Sequence, residues 1–145
     1  MKYIYLIFCL VLAAEGFAGG FEYNAKTGLV SEKKKKLFVF KTMPDYRNEG
    51  SFVYNYFSVG GMQVCSIFKR SYADTTDNSG MGQIKYYYEV LFYDEVQSKA
   101  ELEYTEDKMK IIELLKQANM LKGDDLDENA KLAFLKKYAH SVTGK

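Results

Sequence analysis

The chain has 145 residues, 48% hydrophobic and 27% charged, which is enough for one domain with a core and too little for two. Its 20 Lys+Arg against 19 Asp+Glu leave a net charge of +1, so a nucleic-acid binder that works by bulk charge is excluded. Two Cys and one His exclude the disulfide-rich and zinc-finger classes, and neither a metal nor a cofactor is expected.

Residues 1–18 (MKYIYLIFCLVLAAEGFA) read as a secretory signal. Lys2 precedes an apolar run from Tyr3 to Ala14, Glu15 ends it, and small residues suit cleavage after Gly16 or Ala18. The run is well short of the roughly 20 apolar residues that a membrane-spanning helix needs. No later window reaches that length. The mature chain is therefore expected to be secreted or periplasmic, without a membrane span, and with Cys65 as its remaining thiol.

Residues 19–36 (GGFEYNAKTGLVSEKKKK) are small and polar, then basic, and are expected as a flexible lead-in with one short strand near Phe21–Tyr23. Lys33, Lys34, Lys35 and Lys36 are candidates for contact with an anionic surface. The simpler reading is that they guard the apolar strand that follows from pairing at a sheet edge. The domain proper is expected over residues 37–140, with 141–145 as a tail. Leu37–Lys41 (LFVFK) reads as a strand, and Thr42–Gly50, which holds Pro44, Asp45 and Asn48, as a loop.

Two apolar runs, FVYNYFSV and MQVCSIFK, flank Gly60-Gly61 and predict a hairpin. The register sets Val53 opposite Phe68, Asn55 opposite Ser66 and Phe57 opposite Val64 on one flank, and Tyr54 opposite Ile67 and Tyr56 opposite Cys65 on the other. The valine and phenylalanine flank is expected to be core. Tyr72–Gly82 reads as a loop. Ile84–Tyr93 reads as a strand with Ile84, Tyr86, Tyr88, Val90 and Phe92 inward and Lys85, Tyr87, Glu89, Leu91 and Tyr93 outward.

The period then becomes helical. Met109, Ile111, Ile112, Leu115 and Ala118 form one stripe, with Thr105 as its cap and Gly123 at its C-terminal end. Asp125 to Glu128 is a capping-box pattern that opens a second stripe of Leu132, Phe134, Leu135, Tyr138 and Ala139. Strands first and helices last predict an α+β fold: an antiparallel sheet of about four strands, then two C-terminal helices packed on one face.

Few chemistries have their parts, and no catalytic residue is assigned. The single imidazole, His140, reads as a solvated helix-end residue. The oxygen ligands Asp74, Asp77 and Asn78 fail the EF-hand spacing, and the acids from Asp124 to Glu128 are explained by capping. Aromatics, by contrast, concentrate between Phe52 and Tyr93. The expected function is a small exported, non-enzymatic binding protein. Its Tyr-rich sheet face or an adjacent groove would take a protein partner or a small apolar ligand through Phe52, Tyr54, Tyr56, Ile67, Tyr87, Leu91 and Tyr93. One competing class is an enzyme with carboxylate acid–base chemistry on a glycan, for which Glu89 among tyrosines is the candidate. The other is a self-associating structural protein with Cys65 in an intermolecular disulfide, so the chain is expected as a monomer or a Cys65-linked dimer.

Overall fold

The computed structural model describes residues 20–76, 80, 82–139 and 142–144. The expected signal segment, Asp77, Asn78 and His140 lie outside these. Seven strands form one antiparallel sheet in which each pairs with the next in the chain. They are β1 (Glu22–Tyr23), β2 (Leu29–Glu32), β3 (Lys35–Pro44), β4 (Phe52–Phe57), β5 (Gln63–Asp74), β6 (Gln83–Phe92) and β7 (Lys99–Glu103). Helices α1 (Lys108–Ala118) and α2 (Glu128–Tyr138) follow. Between them, the two-residue strands β8 (Leu121–Lys122) and β9 (Asp125–Leu126) make a small ribbon.

The expectation of about four strands is thus corrected: the chain is mostly sheet. The segment expected as a flexible lead-in supplies β1 and β2. Strand β1 falls at the short strand expected near Phe21–Tyr23, whereas β2, with four residues, shows too few alternations to be legible; such strands form readily against a neighbour that already offers its backbone groups. Lys33 and Lys34 close the β2–β3 hairpin with left-handed φ of 48° and 66°, the sign that a two-residue type I′ turn requires at both positions. Gly28 has φ +75°, and a Cβ there would stand 2.5 Å from the Phe40 carbonyl oxygen, so only glycine fits this close approach. Strand β3 pairs with β2 on one side and β4 on the other. The β4 pairing begins at Val39, so the stretch Lys35–Phe38 pairs with β2 alone and the lysines border that open side.

The β4–β5 register is as the sequence predicts for Val53↔Phe68, Tyr54↔Ile67, Asn55↔Ser66 and Tyr56↔Cys65. A bulge then shifts it so that Phe57 meets Gln63, and the connection widens to Ser58–Met62, with Gly61 at φ +97°. The flank expected to face water is, however, the one that the helices cover, while Val53 and Val64 of the other flank are buried as well, 8% and 4% exposed. Tyr56 is 1% exposed, while Cys65 and Ile67 are fully buried. They share one core with Phe38, Phe40, Tyr88, Val90, Phe92, Ala100 and Leu102 and with Ile111, Ile112, Leu115 and Phe134 of the helices. The helices thus cover the tyrosine flank.

Two features account for this. Tyr56↔Cys65↔Phe92 and Ile67↔Val90 set that flank on the apolar side of β6. The valine flank, in turn, carries Asn55 and Ser66, whose polar atoms would need partners beneath a helix layer. On the opposite face, where Asn55 is 6% and Ser66 1% exposed, they find them in one another and in Gln63 and Tyr93. Asn55 Oδ1 accepts from Ser66 Oγ at 2.5 Å and from Gln63 Nε2 at 3.0 Å, and the Tyr93 hydroxyl lies 2.9 Å from Ser66 Oγ.

The helix starts settle within two residues of expectation, while the end of α1 comes four residues earlier than expected. Asp107, held by the Thr105 hydroxyl, caps α1 through the Met109 N–H, and Asp127 caps α2 through Asn129 and Ala130. Asn119 takes the left-handed C-cap, and Gly123 serves the β8–β9 turn instead. Among the described residues no helix is long and apolar enough to cross a membrane.

Candidate functional site: a tyrosine-lined groove

Helices of 11 residues are about 16 Å long, whereas β5, with 12 residues, runs about 40 Å. One end of the helix-covered face is therefore left open. There Phe52, Tyr54, Lys69, Tyr86, Tyr88 and Tyr104 line a groove of about 680 Å³, with Glu49 and Glu106 also on its walls. Cross-strand pairing makes it: Tyr54 lies on β4, Lys69 on β5 and Tyr86 and Tyr88 on β6, with Tyr104 just past β7.

The rings touch in sequence. Tyr54 lies 5.9 Å from Tyr88, Tyr88 5.4 Å from Tyr104, and Tyr104 5.7 Å from Tyr86, centroid to centroid. The Lys69 ammonium sits 4.3 Å from the Tyr86 ring centre and 4.5 Å from that of Tyr104, and donates to the Tyr104 hydroxyl at 3.3 Å. The Tyr88 hydroxyl donates to the Thr105 carbonyl at 2.8 Å, and burial, aided by neighbouring Tyr54, pushes its phenol up. Tyr88 is thus a fixed floor. Tyr86, 47% exposed, and Phe52, 57% exposed, are the accessible walls.

The seven candidate binding residues do not form one surface. Phe52 and Tyr54 belong to the groove. Tyr56 and Ile67 are sealed in the core and are corrected from contact to core residues. Tyr87 and Leu91 lie on the opposite face of the sheet, paired with Arg70 and Ser66, and Tyr93 joins the Asn55–Ser66 network there. Cys65 is also corrected. It is fully buried, burial pushes its thiol up, and a bond to a second chain would require the core to open. Lys33, Lys34, Lys35 and Lys36 are all exposed.

The carboxylate candidate is fully engaged. Glu89 Oε1 accepts from Arg70 Nε at 3.3 Å and Nη2 at 3.1 Å, and Lys99 Nζ lies 3.8 Å from Oε2. Its cross-strand neighbour Glu101 holds the chain's end, accepting from the Thr143 N–H at 2.9 Å and hydroxyl at 2.8 Å. Among the described residues no cluster of three or more His, Cys, Asp or Glu is placed to hold a metal ion.

Sequence reasoning missed Lys69, Tyr86, Tyr88 and Tyr104. The signal that finds them is length: a ten-residue strand outruns an 11-residue helix by about twofold, so the alternating aromatics at its start cannot all be covered. No known protein-family model matches this chain, and no curated protein or solved structure matches it either.

Proposed function

We propose that the protein is exported and acts by binding, holding a small ligand with a flat apolar face in the groove between Tyr54, Tyr86, Tyr88 and Tyr104. One observation carries this reading: four linked tyrosines, with Tyr88 as the buried floor, and a cation line an open groove on the face whose other half is sealed by helices. Tyrosine offers broad apolar area, a polar tip and little rotamer entropy to lose, so it suits a half-wet contact surface. A concave volume of about 680 Å³ matches a small molecule better than a protein surface. Export is supported by the order of charge, apolar run and small residues in 1–18.

The test is titration with indole, a neutral flat probe, followed through the tyrosine ring resonances. Saturable shifts confined to Tyr54, Tyr86, Tyr88 and Tyr104 are expected, and they should vanish in Tyr86→Ser with Tyr104→Ser while the urea midpoint stays within about 1 kcal/mol of wild type. Shifts that survive both substitutions, or none in the wild type, overturn the reading. Intact mass of protein recovered from medium or periplasm tests export, which retention of residues 1–18 would refute.

A further inference from the structure

We infer that the end of the molecule formed by the β2–β3 and β4–β5 turns is a contact site for an anionic lipid surface. Lys33, Lys34, Lys35 and Lys36 are exposed there, and among the described residues none of them forms an ion pair. The adjoining acid, Glu32, is taken by Lys116 Nζ at 2.6 Å. Asp124, the other nearby acid, accepts the Gly60 N–H at 2.6 Å. Lys35 and Lys36 line a cavity of about 560 Å³ whose walls include Leu37, Phe38, Leu115, Leu121 and Val59, with Glu32 and Asp124 also on them. Val59 and Met62, 39% and 40% exposed, flank the neighbouring Gly60-Gly61 turn.

Two observations converge on this surface. Lys33 and Lys34 occupy two left-handed positions where Asn-Gly is the usual occupant, so charge is kept at a backbone cost. The adjacent side chains are apolar and partly open. A nucleic acid or sulfated glycan would use the charge alone. A lipid surface uses both, with cations among the headgroups and Val59 and Met62 toward the acyl boundary. At a net charge of +1 the whole chain gives no broad attraction, so any preference is local to this end.

The experiment is co-sedimentation of the full chain with vesicles of mixed phosphatidylglycerol and phosphatidylcholine and with phosphatidylcholine alone. The ratio of the two partition coefficients is the readout, because the contribution of the apolar run in 1–18 largely cancels in it. Lys33→Asn with Lys34→Gly is expected to lower that ratio about thirtyfold, the attraction of two lysines to an anionic surface. It also relieves the turn, so its thermal midpoint should not fall. Lys35→Gln with Lys36→Gln should lower the ratio similarly without touching the turn. Val59→Ser with Met62→Ser should weaken binding to the mixed vesicles about tenfold. A wild-type ratio near one, or a ratio unchanged in both lysine variants, overturns the inference. So does binding to heparin with no preference for anionic vesicles, which would reassign the lysines to a glycan.

Discussion

The two ends of the helix-covered face use the same side chain for opposite ends. Tyr56 is 1% exposed and packs edge-on against Phe38 at 4.9 Å, beneath a layer that includes Leu115 and Phe134. Tyr86, on the same face, is 47% exposed and leans on Tyr104 and the Lys69 ammonium. Residue type and strand alternation do not separate them. What separates them is whether a helix reaches that far along the sheet. Tyrosine is thus a core residue where it is roofed and a recognition residue where it is not.

The contrast can be broken by substitution. Tyr56→Ala should cost about 3–5 kcal/mol, the range for removing a large buried aromatic, read from the urea midpoint. A loss below about 1 kcal/mol would mean that the covered end is not packed as described.

The roof has its own fastening. Lys131, 5% exposed on α2, reaches Asp94 Oδ2 at 3.2 Å and Glu128 at 2.6 Å, and Asp94 also accepts from the Ser98 N–H at 2.8 Å and hydroxyl at 2.6 Å. Lys131→Ala should cost about 2 kcal/mol, between an exposed pair and a fully buried one, while leaving probe binding at the groove intact. The pH dependence sharpens this. Partial burial raises the Asp94 carboxyl, but the Ser98 and Lys131 donors outweigh it and hold it at about 2, below its ordinary 3.8. A depressed folded pKa stabilises above the unfolded value and loses that contribution on acidification. Stability from this contact should thus be complete above about pH 4 and fade as pH falls through about 2, with a shallower decline in Lys131→Ala.

The smallest effect belongs to the open end. Tyr86→Ser should shift the urea midpoint by less than about 1 kcal/mol, because the ring is half in water already. A loss comparable to that of Tyr56→Ala would erase the distinction between the two ends.

The sequence carried much of the local structure. Gly60-Gly61 announced the β4–β5 hairpin, and four residue pairs fell in the expected register. Ile111, Ile112 and Leu115 announced the buried stripe of α1. Strand β2 was not legible, since LVSE is too short for a period to emerge. The groove was half legible. Phe52 and Tyr54 stood among the candidates, but they were grouped with Tyr87, Leu91 and Tyr93, which the β5–β6 register sends to the opposite face.

By itself the sequence determined the period of each main segment, the hairpin register and where the aromatics concentrate, because these depend on neighbours a few residues apart and on backbone geometry. Only the tertiary structure decided which flank of the ribbon is roofed. Both flanks carry apolar side chains, and the choice rests on pairing with β6, on partners for Asn55 and Ser66, and on the reach of two short helices. Those are long-range constraints, and they turned Tyr56 into core and left Tyr86 beside Lys69 at the water's edge.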